Sequence, residues 1–348
     1  MSTIVTVTGP VSSESLGVVL PHEHTFLDLS CLWHAPRDSG RQWLIDEPVS
    51  NDIYTILSED PYHSKDNLHL DDEDAVAEEL ISFREAGGNA VIDLSTLTIG
   101  PYPQELRDLS ARTGLHIVAG TGFYVQRAHP TWVHDASWEQ LYEHMLRALR
   151  DGIKGSNIRA GIIGELGTSS PVHPDEMKVL RAAAAVQRQY PVGINVHLSI
   201  FASEGLKVLD ALEAYGADLS RVALSHIDEN LDLPYHLALA ERGVFMEFDT
   251  WGSECRFQDS NTREPTDDER MVAFQELAER GYMAQLLLSQ DVCTKMQWHR
   301  HGGRGYDHIL RLIVPRLRQS GFSGGDIEQM MVVNPVRLLA GDWESSAS

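Results

Sequence analysis

Short apolar segments alternate along the chain with longer amphipathic ones, and this alternation repeats eight times. The apolar segments are rich in Val, Ile and Leu, which is typical of parallel strands covered on both faces. The segments predicted to be strands are residues 16–24, 90–94, 116–120, 160–165, 193–197, 221–226, 244–249 and 285–291.

The amphipathic segments between these strands are predicted to be helices. The first begins in the acidic run 71–74, which suits the positive end of a helix, and stops at Gly87-Gly88. The predicted helices are residues 71–86, 103–112, 137–150, 177–189, 204–215, 234–242, 267–280, 305–318 and 326–339. Strands that alternate with helices in this way predict a (β/α)8 TIM barrel, and a doubly wound open sheet is the competing arrangement.

One domain is predicted for residues 1–340, because no linker, composition break or low-complexity tract interrupts them. Residues 341–348 are predicted to be a C-terminal tail. Residues 31–70 lack a clean period, so we expect a long irregular loop that takes part in a site. Together with the loop at residues 250–266, it is expected to decide the substrate.

Metal-competent side chains stand at the C-terminal ends of five predicted strands, the face where barrel enzymes build their sites. They are His22 and His24 on the first strand, Glu165 on the fourth, His197 on the fifth, His226 on the sixth and Asp291 on the eighth. His22 and His24 are spaced so that, in a strand, both imidazoles point to the same side and could hold one ion together.

These positions favour the barrel over the open sheet. In an open sheet the first and eighth strands would be roughly 34 Å apart, at about 4.8 Å per strand step. Closing the barrel makes the two strands neighbours, and only then could His22, His24 and Asp291 share an ion.

The ligand set predicts a metal centre. Imidazoles combined with carboxylate oxygens suit zinc, and also manganese, cobalt or iron. The six candidates exceed the usual three protein ligands of a catalytic zinc, so two divalent ions per chain are predicted. Glu165 has two oxygens and lies on a central strand, which makes it the candidate for the bridging ligand.

Composition and net charge limit the classes of molecule that the protein is expected to bind. The formal net charge of −23 argues against nucleic acid, because phosphate binding needs a basic face. No apolar run approaches the roughly 20 residues needed to span a membrane, and no signal-peptide pattern is present, so a cytoplasmic location is expected. Cys31, Cys255 and Cys293 are widely spaced and are predicted to be reduced thiols. These features favour a small-molecule substrate.

Around these residues, and over residues 4–340, the sequence resembles the phosphotriesterase-related branch of the amidohydrolase superfamily. The matching segments are LPHEH at 20–24, GTGFY at 120–124, IGELG at 163–167, His197, SH at 225–226, LSQD at 288–291, GYDHI at 305–309 and NP at 334–335.

The resemblance implies a role for each candidate ligand. It implies that His22, His24 and Asp291 hold the more buried ion. It implies that His197 and His226 hold the more exposed ion and that the residue of the fourth strand bridges both. It further implies that a bridging hydroxide is the nucleophile, with Asp291 as proton acceptor, and it suggests a homodimer.

The chain departs from the phosphotriesterases and related lactonases at the fourth strand, where Glu165 replaces a lysine that those enzymes carboxylate. A native carboxylate supplies the same coordination without carbon dioxide. Hydrolysis of organophosphates or acyl-homoserine lactones is therefore not assumed. Tyr124 stands where lactonase-like members have a tyrosine beside the metals, which favours a carbonyl substrate; a packed rim aromatic is the alternative interpretation.

The predicted activity is metal-dependent hydrolysis of an amide, lactone or carboxylic ester of a small molecule. The alternative among enzymes is a phosphotriester or phosphoester hydrolase, since Arg256, Arg263 and Arg304 lie in the seventh and eighth loops, where barrels often bind phosphate. The alternative of another class is a metal-stabilised barrel that binds a small molecule without turnover.

Overall fold

The computed structural model describes residues 2–100, 102–257 and 261–340, so the predicted tail at 341–348 lies outside the described residues. Eight parallel strands form one sheet in which each strand pairs with the next one along the chain. They are β1 Val19–Glu23, β2 Ala90–Asp93, β3 His116–Thr121, β4 Ile162–Gly167, β5 Ile194–His197, β6 Val222–Leu224, β7 Phe245–Phe248 and β8 Leu286–Leu288.

The sheet closes between β1 and β8. No backbone ladder joins these two strands in the part of the chain that the structure describes. Instead, the Ser289 hydroxyl donates to the His22 carbonyl oxygen at 2.7 Å and accepts from the His22 backbone N–H at 3.1 Å. A hydroxyl can do both at once. The prediction of a (β/α)8 barrel is confirmed, and the open-sheet alternative is wrong.

Helices follow the strands and cover the outside of the barrel. Their starts are capped: the Asp72 side chain accepts from Ala75 N, and Ser137 and Gln140 form a reciprocal capping box. The outer helices are α1 Glu73–Glu85, α2 Pro103–Thr113, α3 Trp138–Arg150, α4 Pro174–Gln189, α5 Gly205–Ala214, α6 Leu233–Ala240, α7 Asp267–Leu277 and α8 Val314–Gln319. The predicted closing helix is present as Gly324–Glu328, Gln329–Val333 and Asn334–Leu339.

The barrel interior changes from apolar to polar along β7 and β8. Its lower layer is one buried cluster that includes Phe245 of β7 and Leu287 of β8. Side chains two residues apart point to the same side of a strand. The interior positions therefore continue through Glu247 to Asp249 after β7, and through Ser289 to Asp291 after β8. The same strand face thus provides both the core and the polar rim.

Two features differ from the predictions. An N-terminal hairpin, Thr3–Thr6 paired with Gly9–Ser12, was not predicted, and its Ile4 packs into the lower layer of the barrel. The last outer helix starts later than predicted, because a turn precedes the π-helical segment Ile309–Ile313 that leads into α8.

The first long loop is more regular than expected. It consists largely of short helical segments: the α-helix Tyr54–Leu57 and the 3-10 helices Ser39–Asp46, Asn51–Ile53, Pro61–His63 and Asp66–Leu68. The strands Leu27–Asp28 and His69–Leu70 pair at its base. The second contains the paired strands Arg256–Phe257 and Thr262–Arg263. Within the described residues, every helix is too short or too polar to cross a membrane.

Candidate metal centre

All six predicted ligands converge at the C-terminal end of the barrel. Their side chains are almost buried, the most exposed being Asp291 at 15% and His197 at 12%. The strand positions explain this convergence: His22 and Glu165 lie in the C-terminal halves of β1 and β4, His197 ends β5, and His24, His226 and Asp291 follow their strands within three residues. His226 and Asp291 adopt positive φ angles of 60° and 46°, a conformation that non-glycine residues rarely take and that is found most often at functional sites.

One group of ligands bridges the seam between β1 and β8. His24 Nε2 lies 3.3 Å and His22 Nε2 lies 3.7 Å from Asp291 Oδ1. Within the described residues, His22 Nε2 and Asp291 Oδ1 are buried without a hydrogen-bond partner. Buried polar atoms normally have hydrogen-bond partners. Two such atoms that face the same point without a partner suit the binding of a cation there.

A second group lies around the ends of β4, β5 and the turn after β6. His197 Nδ1 is 2.8 Å from both Glu165 Oε1 and His226 Nε2. His226 Nε2 is 3.5 Å from the same Glu165 oxygen. Two imidazole nitrogens and one carboxylate oxygen therefore face each other.

Glu165 stands between the two groups. Its Oε1 is 3.6 Å from His22 Nε2, and its Oε2 is 3.8 Å from His24 Nε2. Gly164, which precedes it, has a φ of 138° and lies against the Asn195 backbone, where a Cβ would come within 2.7 Å of the carbonyl oxygen. Glycine at this position lets the chain bring Glu165 to the barrel axis.

Sequence reasoning missed the residues that hold the ligands, above all Asp249. Its Oδ2 is 3.0 Å from His22 Nδ1, and its Oδ1 is 3.0 Å from His226 Nδ1. Glu247 Oε2 also lies 3.2 Å from His22 Nδ1. A carboxylate on one ring nitrogen orients the other nitrogen towards the ligand site. The signal was present in the sequence: Glu247 and Asp249 continue the interior face of β7.

The loop that carries Asp291 is held by Glu23, which lies between the two β1 histidines. The buried Glu23 carboxylate accepts from the backbone N–H groups of Gln290 and Val292, each at 2.8 Å. Burial raises the pKa of Glu23 to about 7, against the opposing effect of these hydrogen bonds. Glu23 thus fixes both neighbours of Asp291.

The electrostatics of the cluster fit cation binding. Burial raises the pKa of Glu165, but the charge and hydrogen bond of His197 outweigh it and hold that pKa well below the usual range. Burial also raises the pKa of Asp291, but its contact with His24 and the charge of His22 outweigh burial and leave that pKa lowered. Burial lowers the pKa of His197, whereas the neighbouring carboxylates outweigh burial and raise the pKa of His22, His24 and His226. Metals bind ionised carboxylates and neutral imidazoles, so a cation bound here would take the place of the protons that the carboxylates favour on these three rings.

A cavity opens above the six ligands. Its walls include Leu29, Tyr62 and Tyr124 from the loops, together with Glu229 and Glu264. The Tyr124 ring lies 4.8 Å from the His197 ring, edge to face, so the predicted substrate residue does stand beside the ligands.

The three arginines considered for phosphate recognition lie elsewhere. Arg263 is paired with Glu269 at 2.6 Å on the surface, and Arg256 is exposed. Arg304 lines a neighbouring cavity. None of the three is among the described residues that line the cavity above the ligands.

Comparisons with known proteins place the chain among relatives of the same fold. The profile of the Phosphotriesterase family matches residues 2–339. An N-acetyltaurine hydrolase from Tetraodon nigroviridis is 35% identical over 338 residues, which cover 96% of this chain and 97% of that protein. The crystal structure of a resiniferatoxin-binding protein from Rhodobacter sphaeroides is 37% identical, with a TM-score of 0.96 over 97% of this chain and 95% of that one. A mutant of a PTE-like lactonase from Deinococcus radiodurans is 28% identical, with a TM-score of 0.77 over 97% and 100% of the two chains.

The fold and these relatives define the protein as a hydrolase built on a TIM barrel. The chain belongs to the phosphotriesterase family, which confirms the resemblance found in its sequence.

Proposed function

We propose that the protein is a metal-dependent hydrolase that cleaves the amide, lactone or ester bond of a small molecule. The observation that carries the proposal is the position of Glu165, whose two oxygens face both ligand groups. Two divalent ions held there would activate a water molecule and polarise a carbonyl oxygen.

The ligand assignment follows the two groups. His22, His24 and Asp291 would hold the ion at the seam, and His197 and His226 would hold the ion nearer the cavity. Glu165 would be the ligand that the two ions share. Zinc is the ion we propose, while manganese, cobalt or iron would suit the same mixture of nitrogen and oxygen donors.

Asp291 is proposed to transfer the proton, and Tyr124 is proposed to bind the substrate. Asp291 borders the cavity with an ionised carboxylate, so it can accept a proton from the attacking water and deliver it to the leaving group. Burial raises the pKa of Tyr124 well above its usual value, so its hydroxyl stays protonated and can donate a hydrogen bond to a bound substrate.

The cavity favours a substrate without negative charge. No lysine or arginine occurs among the described lining residues, so the wall offers no cationic side chain to an anion. Burial raises the pKa of the two carboxyl groups on the wall, that of Glu229 to about 8 and that of Glu264 above its usual value, so they can also donate hydrogen bonds to a neutral substrate. The nearby Arg270 guanidinium is fully buried and lies 3.0 Å from Glu229 and 3.1 Å from Asp228. Because Arg270 is already occupied by carboxylates, it offers little to an anionic substrate.

Metal content tests the centre. Glu165→Gln should reduce bound zinc well below two ions per chain, measured by elemental analysis of the purified, dialysed protein. Glu229→Gln is the matched control, because Glu229 lines the same cavity but is not one of the proposed ligands, and it should keep both ions. Retention of two ions by Glu165→Gln would remove Glu165 as the bridge.

A substrate panel tests the activity. Metal-loaded and chelated protein should be assayed on lactones, aryl esters, neutral N-acyl amines, N-acetyltaurine and phosphotriesters. We expect metal-dependent turnover that is fastest on a neutral carbonyl compound. Faster turnover of N-acetyltaurine would contradict the charge argument, and faster turnover of a phosphotriester would contradict the carbonyl assignment.

Binding without turnover is the remaining alternative, since one relative carries the name of a binding protein. The same panel separates it from catalysis. Saturable binding by metal-loaded protein, with no product formed from any compound bound, would favour a binding barrel over an enzyme.

A further inference from the structure

A second group of histidine and carboxylate side chains lies in the loop at residues 31–70. His34, Asp60 and His63 each present one potential ligand atom, and these atoms all lie within 4.8 Å of one another. None of the three belongs to the metal centre at the rim. We propose that they form an additional zinc site.

The distances suit a shared ion better than direct hydrogen bonds. His34 Nε2 is 3.6 Å from Asp60 Oδ1, and His63 Nε2 is 3.6 Å from the other oxygen of that carboxylate, Oδ2. That separation is too long for a hydrogen bond. It is close to the distance of about 3.4 Å between neighbouring ligand atoms of tetrahedral zinc with bonds of about 2.1 Å. The rings of His34 and His63 are nearly perpendicular, at 88° with centroids 5.0 Å apart, so their nitrogens approach from different directions.

The three side chains differ in burial. Those of Asp60 and His63 are 0% and 2% exposed, whereas that of His34 is 34% exposed. Two of the ligands are therefore held inside the protein, and the third gives an ion access from solvent. The three ligands provide two imidazoles and one carboxylate, and the open side at His34 leaves room for a water molecule as the fourth ligand.

The position of the site indicates what a bound ion would do for the loop. The Asp60 carboxylate caps the short 3-10 helix Pro61–His63 by accepting from Tyr62 N at 3.2 Å. Pro61 and Tyr62 line the cavity above the metal centre. An ion bound by His34, Asp60 and His63 would therefore fix one wall of the substrate cavity to the other end of the loop.

Metal counting tests the site independently of catalysis. After zinc loading and dialysis, we expect three ions per chain in the unmodified protein, and two in His34→Gln and in His63→Gln. His69→Gln is the control, since His69 is a partly exposed histidine of the same loop that lies 3.6 Å from Asp28, and it should keep three. The double variant His22→Asn/His24→Asn, which damages only the rim centre, should still bind the loop ion.

Cobalt titration provides the second measurement, and His34→Gln is the safer variant because its side chain is the most exposed of the three. Cobalt absorption in the visible range should include a component that disappears in His34→Gln and persists in the rim variant. The proposal is overturned if His34→Gln binds as much zinc as the unmodified protein, or if its cobalt spectrum is unchanged. A loss of rim ions alone would count against the proposed function and leave the loop site standing.

Discussion

The lower and upper ends of the barrel interior differ although they lie on the same strand faces. At the lower end, Phe245 and Leu287 pack into a closed apolar cluster. Higher up the same faces, Asp249 and Asp291 point into a group of imidazoles. The contrast shows that the strand period alone positions both sets, and that residue type then decides whether a level of the barrel provides stability or chemistry.

The largest effect is expected at the upper end. Asp291→Asn should lower kcat by about 10²- to 10⁴-fold, because the amide cannot accept the proton that general-base catalysis requires. The free energy of unfolding of the metal-free protein should change little, since Asp291 is not part of the apolar cluster. Steady-state kinetics together with urea denaturation would check both statements. A near-normal kcat would exclude Asp291 as the proton acceptor.

The opposite pattern is expected at the lower end. Leu287→Ala should lower the free energy of unfolding by about 2–5 kcal/mol, because it leaves a cavity in a fully buried cluster. Bound metal and kcat should remain close to those of the unmodified protein below the unfolding transition. If Leu287→Ala lowered the metal content as well as the free energy of unfolding, the apolar cluster and the metal ligands would not be independent of each other.

Asp249 supports the metal ligands of the upper level, because its carboxylate holds the rings of His22 and His226. Asp249→Asn should weaken metal binding or activity by about 10- to 100-fold, since the amide holds the rings of His22 and His226 less firmly. Zinc competition with a chromophoric chelator would measure the change. An unchanged zinc affinity and kcat would show that the rings are oriented by their remaining partners.

The smallest effect is expected for Glu23, which positions the Asp291 loop without facing the cavity. Glu23→Gln removes one of the two oxygens that accept from Gln290 N and Val292 N. At a pH above 7, where Glu23 is ionised, losing one such hydrogen bond predicts a fall in kcat of about tenfold, with both rim ions retained. A loss of metal in place of kcat would mean that Glu23 supports the ligands themselves.

Much of the rim could be predicted from the sequence because its geometry is repetitive. Eight strand periods fix which residues end at the C-terminal face, and closure of the barrel then brings His22 and Asp291 together. The role of Asp249 could not be predicted in the same way, because it depends on which imidazole nitrogens face the neighbouring strands.

The cluster of His34, Asp60 and His63 was harder to predict from the sequence. His34 and Asp60 are far apart in an irregular segment without a period, so their approach depends on the conformation of the whole loop. Likewise, the serine that closes the sheet gives no signal of its own, since Ser289 resembles any polar residue at a strand end. The ligand roles assigned from the resemblance stay predictions until metal is measured.

In the described part of the chain, backbone ladders join neighbouring strands of the barrel except between β1 and β8, where side-chain hydrogen bonds of Ser289 and Glu23 make the join. Segments with fewer cooperative hydrogen bonds open first, so the amides bordering this gap should be the weakest point of the cylinder. His22 and His24 lie on one side of the gap and Asp291 on the other. An ion held between them would link the two strands, so that loading the protein with metal would also stabilise the barrel at its weakest point.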